Sequence, residues 1–523
     1  MCGHGARDLD RMLTRWLLPP FCKAIGAIVL RTKVDPQATL WESLLPEEFR
    51  RLPPGLCAVD AFLDDPVFFE PFVPYFDPSY GRPSTPIETY LRLMHLRFRY
   101  DLGFETLCGE VTDSLSWRRF CRIGPYDKVP DASTLMKITK RCGSEVVAQL
   151  NEALLKKANA AHLVKLDKVR ADTTVVPANV AYPTDSSLLA KGVAKLARSV
   201  SSLKSLGFAT RTSFRDRTRS VRRRAHSIGA WLRRRNDEAK EEVLKITGEL
   251  AGIAEATILD ALGVARNAKR SLARYGRSAP RKAVCLVAEI EQTCRLLEEI
   301  VAQTRTRLSG EVPDGSTRIV SLHDPDARPI AKGRLGKPVE FGYKNQVTDN
   351  VDGIVLDMAM FKGNPPDAPM LVPAITRIKT LFGRAPKAVT ADRGYGEASV
   401  ESGLVALGVE RIAIPRKGKP GKARRAVESA RGFRTLVKWR TGSEGRVSHL
   451  KHSFGFERTM LDGIAGAKTW CGWGLLAHNS VKISALAEEK KDKPTTVRQR
   501  RPPANTADTG PPTGRSPTSR CTA

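Results

Sequence analysis

The sequence has no C-x-x-C pair among its ten cysteines, no G-x-x-x-x-G-K-[ST] loop, and no apolar run of the length, about 18 residues, that signals a membrane span. Each absence removes a class of protein. Cysteines scattered from Cys2 to Cys521 without repeated spacing argue against a disulfide framework and against a cysteine-ligated zinc site, and they suit a reducing compartment. Without a phosphate loop ("GRLGKP" at Gly333 lacks both the spacing and the hydroxyl) there is no case for an NTPase or a nucleotide cofactor. The most apolar stretch, Trp16 to Leu30, is broken by Pro19, Pro20 and Lys23, so no membrane contact is expected and the chain reads as soluble. Histidines number eight; His449 and His452 lie three apart on an expected helix but have no third ligand at sensible spacing. Acidic residues are also short: 56 Asp plus Glu face 86 Lys plus Arg, a formal charge of +30. Such an excess makes a polyanion, nucleic acid first, the expected partner.

A chain of 523 residues is expected to form roughly two to four structural units. From about residue 84, "STPIETYLRLMHLRF" predicts a helix with Thr85 as N-cap, Pro86 in the first turn and Glu88 closing a capping box. Helices are expected again over about Phe104 to Cys121 and Ser133 to Leu150, with Leu107, Trp117, Phe120 and Leu135 as core. Arg118 and Arg119, with Arg122, Lys137 and Lys140, give this block either a DNA-binding face or a solvated one. A second helical stretch runs from about Ser187 to Leu308. In it, Ala283, Val287, Ile290, Cys294, Leu297 and Val301 keep the three-four spacing of a helix-pair seam, with Val243, Ile246, Leu250 and Ile253 as the facing row. It also holds the most basic segment, "RTSFRDRTRSVRRRAHSIGAWLRRR", where Arg222, Arg223 and Arg224 point to phosphate contact.

Strand patterns are fewer. "TRIVSLHD", "VEFGYKNQV" and "GIVLDMAMF" predict a meander, "DAPMLVPAITRIKTLFG" a helix and "KAVTADRGYG" a further strand, an order that belongs to a mixed α/β sheet. Beyond about Ala485 the chain is rich in Pro, Thr, Arg and Lys and is expected to be disordered.

Two strands carry a carboxylate where a half-buried strand seldom does. In "KVRADTTVV", alternation sends Val169, Ala171, Thr173 and Val175 to one face and Arg170, Asp172, Thr174 and Val176 to the other. Alone, Asp172 reads as a capped turn or a solvated edge; Asp392, at the end of Ala388 to Ala391 before the glycine-flanked "RGYG", repeats the pattern. A third carboxylate is offered by "KWRTGSEGRVSHLKHSFGFE". A helix running through Arg440, Glu444 and Lys451 would hold all three within about 40° of one face, although the same spacing also makes a plain ion-pair ladder. Glu457 competes for the third place; its neighbours Phe454 and Phe456 suggest a buried or capping role.

On these residues the chain resembles the insertion-sequence DDE transposases with a Tyr-Arg-Glu-Lys signature. Arg440, Glu444 and Lys451 match the last three members of that signature, with Val437 where the tyrosine would fall. "ADTTV" at Asp172 and "ADRGYG" at Asp392 are similar to the two aspartate motifs, and "STPIETYLRL", "DSLSWRRFC" and "PDASTL" to the amino-terminal helical domain. The resemblance spans about residues 40 to 482. It implies a ribonuclease-H-like mixed sheet with a basic helical insertion at about 187–310, forming a catalytic domain over 161–482. Before it stand an all-α DNA-binding domain over 41–160 and an uncertain extension over 1–40; after it, a disordered basic tail over 483–523.

The same resemblance implies metal-dependent cleavage and strand transfer at the ends of an insertion sequence. Asp172 would bridge two ions, with Asp392 on one and Glu444 on the other, and Arg440 and Lys451 would neutralise phosphate. In-line displacement at phosphorus suits two hard divalent ions, and an all-carboxylate site suits Mg²⁺ or Mn²⁺ better than zinc. Double-stranded DNA (terminal repeats and target), a homodimer or larger assembly on DNA, and a prokaryotic, cytoplasmic, nucleoid-associated location follow as expectations. The alternatives are a catalytically silent DNA-binding derivative, acting as repressor or architectural factor, and a general ribonuclease-H-like nuclease.

Overall fold

The computed structural model describes residues 28–34, 46–47, 51–234, 236–334 and 337–492. Most of the expected amino-terminal extension, and the tail beyond 492, lie outside the described residues.

Residues 28–34 lie beside the start of the helical block, where Ile28–Val29 (β1) pairs in parallel with Arg82–Pro83 (β2). After Pro54–Leu63 (α1), this changes how Ile87–Arg99 (α2) begins. The expected capping box at Thr85 is not formed: Pro86 stands at the N-cap without a side-chain bond. The first-turn N–H groups of Ile87 and Glu88 donate instead to the carbonyls of Arg31 and Thr32, and the Glu88 carboxylate accepts from the Val34 amide. Orphan donors at a helix start need partners, and here an earlier piece of backbone supplies them. Residues 87–98 are all buried, and the Arg97 guanidinium is boxed by the Phe98, Phe104 and Trp470 rings at 4.2–4.4 Å from each centroid.

Phe104–Asp113 (α3), Leu115–Phe120 (α4) and Ala132–Ala160 (α5, kinked at Gly143) complete the block. Leu107, Phe120 and Leu135 are buried in it, while Trp117 is partly buried and stacks on Tyr100. Arg118 is a correction: it does not face solvent but donates to the carbonyls of Gly124, Pro125 and Asp127, holding the loop after α4.

The insertion is Asp185–Ser205 (α6), Thr218–Trp231 (α7), Asp237–Ala273 (α8) and Arg281–Leu308 (α9). The expected seam is present: Ala283, Val287, Ile290, Cys294, Leu297 and Val301 are all buried, packed with Ile246 and Leu250 in a hydrophobic cluster of the insertion's own. Arg222 and Arg223 are exposed on α7, whereas Arg224 is tied to Glu249 at 2.7 Å.

The sheet has six strands: Val169–Pro177 (β3), Arg328–Arg334 (β4), Lys337–Asn350 (β5), Val355–Lys362 (β6), Ala388–Thr390 (β7) and Arg411–Ala413 (β8). Its order is β4-β5-β3-β7-β8, with β6 also on β5; β3 is antiparallel to β5 and parallel to β7. The meander is therefore real, but it begins later than expected. "TRIVSLHD" is not a strand, because the Gln303 side chain takes both backbone groups of Ile319 (3.0 and 3.1 Å), leaving none for a ladder.

Ala368–Phe382 (α10) and Ala398–Ala406 (α11) follow β6 and β7. Lys422–Ser429 (α12), Arg431–Arg440 (α13), Ser443–Ser453 (α14) and Gly463–Asp492 (α15) close the chain. Helix α15 continues to Asp492, past the expected tail boundary at 483. It packs on α1, α2 and α5, with Trp470 edge-on to Phe98 and Trp473 edge-on to Tyr90, so the amino-terminal helices and the sheet share one hydrophobic core. Among the described residues no helix is long and apolar enough to cross a membrane.

Because Arg118 holds three carbonyls from a buried position, Arg118→Ala is expected to cost about 2–3 kcal/mol. Denaturant unfolding of the full chain reads this directly, while DNA affinity at fixed salt should stay unchanged.

Candidate active site

The parallel register of β3 and β7 determines what meets what. Val169 pairs with Val389 and Arg170 with Thr390, which brings Asp172, within β3, near Asp392, two residues past the end of β7, close enough for the Asp172 charge to act on the Asp392 carboxyl. Neighbouring strands lie roughly 4.8 Å apart. β7 ends before Asp392, whose Oδ1 accepts the Gly394 amide at 2.9 Å and caps the 3₁₀ turn Arg393–Tyr395. Gly394 has no unusual φ; it is needed for space, since a Cβ there would lie 3.0 Å from Asp392 Oδ1 and 3.0 Å from Asp367 Oδ2.

Asp172 is held at both oxygens. Oδ1 accepts the Thr173 amide at 2.8 Å, and Oδ2 accepts the Ser443 hydroxyl at 2.7 Å with Arg440 Nη1 3.6 Å away. The turn that brings Arg440 and Ser443 here is itself anchored from β3. Arg170 chelates Asp349 with two 2.9 Å bonds and donates to the Trp439 carbonyl at 2.8 Å, beneath the Trp439 ring. Gly442 must lack a side chain, because a Cβ would meet Arg170 Nη1 at 2.5 Å.

Sequence reasoning missed Asp367. It occupies the N-cap of α10 without capping it; its Oδ1 instead accepts Thr173 Oγ1 at 3.1 Å and the buried Lys344 ammonium at 2.7 Å. The signal was obscured because an Asp after prolines and before an apolar run reads as a helix start.

Burial first, then the negative charges of Asp172 and Asp367, hold the Asp392 carboxyl above its usual range, against the Gly394 N–H and Arg440. Tyr395 is fully buried, and its phenol is pushed well above its ordinary range by burial and by Asp367, Asp172 and Asp392.

The other expected residues are distributed differently. Glu444 lies in the first turn of α14, one residue beyond Ser443, and is exposed. Arg440 ends α13 and a two-residue turn separates it from Glu444 and Lys451, so the three do not share one helix as expected. Phe454 and Phe456 are buried, but Glu457 is exposed, which corrects its expected burial. Among the described residues no group of three His, Cys, Asp or Glu side chains is arranged to hold a metal ion, His449 and His452 included. What the site does offer is hard oxygen donors in a half-buried pocket, with a pair of close aspartates whose mutual repulsion a cation would relieve. That chemistry fits Mg²⁺ or Mn²⁺.

The chain thus carries a mixed α/β sheet that brings two aspartates close together, and a separate basic helical insertion. Residues 47–141 match the family described as transposase domain (DUF772), and residues 314–480 match the transposase DDE domain family. The two matches in this order identify the chain as an insertion-sequence DDE transposase. An uncharacterized protein of Rhizobium meliloti, ORF8 in the nfe locus, is 31% identical over 136 residues, which cover 25% of this chain and 65% of that relative. No solved structure matches the chain.

A carboxyl that keeps its proton longer in the folded than in the unfolded chain costs folding free energy once it ionises. The cost is absent below the ordinary value of 3.8 and complete above the raised folded value. Asp392→Asn is therefore expected to raise the Tm of metal-free protein at pH 7, with the gain shrinking as pH falls toward 3.8. Thermal melts in chelator across that range test this.

Proposed function

We propose that this transposase cuts DNA at the ends of its insertion sequence and joins those ends to target DNA, with Asp172, Asp392 and Glu444 as the catalytic carboxylates. The observation that carries the reading is the nearness of Asp172 and Asp392, which the parallel register of β3 and β7 brings together and the effect of the Asp172 charge on the Asp392 carboxyl records. The sheet order, one strand antiparallel and two parallel around β3, is consistent with a ribonuclease-H-like core. The match to the DDE domain family supports a polynucleotidyl transferase that uses divalent ions; we infer Mg²⁺ or Mn²⁺, two per site.

When bound, such ions supply charge neutralisation and an activated oxygen nucleophile at phosphorus. The chain's own contribution is orientation. Thr173 N–H and Ser443 Oγ–H fix the Asp172 carboxylate, so it needs little reordering. Arg440, beside Asp172, meets the phosphate oxygens around the scissile bond, and Lys451 on α14 neutralises backbone phosphate further along the strand. Glu444 would be the third carboxylate; it is exposed in the first turn of α14, one residue past Ser443, whose hydroxyl meets Asp172.

Exposed Arg222 and Arg223 on α7, with Arg224 and the partly buried Arg119, supply sequence-independent phosphate contact. Terminal repeats and target DNA are the substrates, and two copies of the chain on paired ends are the working assembly, in the cytoplasm at the nucleoid.

Labelled duplex carrying the element's ends, incubated with Mg²⁺, Mn²⁺ or EDTA, tests the site. Asp172→Asn, Asp392→Asn and Glu444→Gln are each expected to lose cleavage by roughly 100-fold or more while DNA binding persists. Cleavage surviving Glu444→Gln would send the third role to another carboxylate, and binding without cutting by the wild type would point to a silent derivative. In a separate salt titration, Arg222→Ala with Arg223→Ala is expected to make the slope of log K against log salt shallower by about 2.

A further inference from the structure

We propose that Asp367 is a further carboxylate of this site and holds a divalent cation together with Asp392, across the bare backbone of Gly394. The inference rests on the functional reading above and extends it to a residue outside the expected triad.

Three observations converge. First, Asp367 is freed from the work its position predicts. An Asp at a helix N-cap ordinarily accepts from the first-turn amides, yet this one makes no such bond and turns toward the sheet. Second, its two oxygens are used unequally. Thr173 Oγ1 and Lys344 Nζ both engage Oδ1, and the ammonium is fixed in turn by the Pro365 carbonyl at 2.7 Å. Oδ2 accepts no hydrogen bond among the described residues, and it and Asp392 Oδ1 would each lie 3.0 Å from a Cβ placed on Gly394, so the two oxygens flank the same bare backbone. A carboxylate clamped at one oxygen by outer partners, with the other oxygen presented, is how proteins orient metal ligands.

Third, the pocket contains an unanswered polar group. Tyr395 is 0% exposed, its hydroxyl has no hydrogen-bond partner among the described residues, and it faces Asp367, Asp172 and Asp392. Beside it lies the Gln346 amide, also fully buried, which approaches that hydroxyl without closing a hydrogen bond. Buried polar atoms without partners are costly, and a hydrated cation held by Asp367 and Asp392 brings water oxygens that satisfy both groups.

Lys344 does not contradict this. Its ammonium offsets one charge of a three-carboxylate pocket and leaves it net negative even with Arg440 half-engaged at 3.6 Å. The bland alternative is that Asp367 serves only as the buried partner of Lys344.

The test is Mn²⁺ binding to the full chain without DNA, read by calorimetry and by the Mn²⁺ paramagnetic resonance signal. Wild type is compared with Asp367→Asn, Gly394→Ala and Asp392→Asn. Asp367→Asn and Gly394→Ala are both expected to weaken Mn²⁺ binding by about 10-fold or more. Gly394→Ala keeps every carboxylate and the partner of Lys344 and only inserts a methyl between the two oxygens, so it answers even where Asp367→Asn fails to fold. Wild-type Mn²⁺ affinity in Gly394→Ala, with loss in Asp392→Asn, would overturn the role of Asp367 and leave the functional reading intact. Undiminished binding in Asp392→Asn would overturn both.

Discussion

The pairing of β3 with β7 is short, two residue pairs in length, yet the approach of Asp172 to Asp392 depends on its register. A slip by one residue would turn one of the two aspartates to the opposite face of the sheet. The register is protected by burial: Val169, Ala171, Ala388, Val389 and Ala391 are all shielded, so any slip would expose apolar side chains and bury the wrong ones. Parallel neighbours also demand a long connection. Here it runs from Pro177 to Ala388 through the four-helix insertion, the meander and α10, so two carboxylates more than two hundred residues apart become neighbours only when the sheet closes.

Beside that pair, a buried arginine links the sheet to the turn between α13 and α14. Arg170 is satisfied by Asp349 on the next strand and by the Trp439 carbonyl, so its charge is compensated while it fixes the end of α13. Breaking such a pair is expensive because the remaining charge stays buried, and this makes Arg170 a rigid post from which Arg440 and Ser443 are hung over Asp172. The insertion bears none of this load. Its helices close around their own apolar cluster, which lets a highly basic segment be carried without disturbing the acidic pocket.

Much of the site was legible in local pattern. A lone aspartate within one strand of small and β-branched residues and another at the end of a second are unusual enough to mark Asp172 and Asp392, and the Arg440, Glu444 and Lys451 spacing marked the segment whose Arg440 and Ser443 meet Asp172. The seam of α8 and α9 was readable for the same reason, since a three-four periodicity records which face is buried. Where the reading failed, a distant partner had taken over a local role. Arg31 and Thr32 carbonyls replaced the capping box at Thr85, Gln303 replaced the ladder partners of "TRIVSLHD", and three loop carbonyls drew Arg118 inward from an apparently basic face.

By itself the sequence determined the helical insertion, the basic character that selects a polyanion, and the strand-end carboxylates, because periodicity, net charge and residue type are properties of short windows. Only the tertiary structure decided that Asp172 and Asp392 come close, that Asp367 leaves its helix cap to lie near Asp392, and that Ser443 rather than Glu444 touches Asp172. Those outcomes depend on strand register and on which of several possible partners a polar group meets, and such choices are made by contacts between segments that no local window contains.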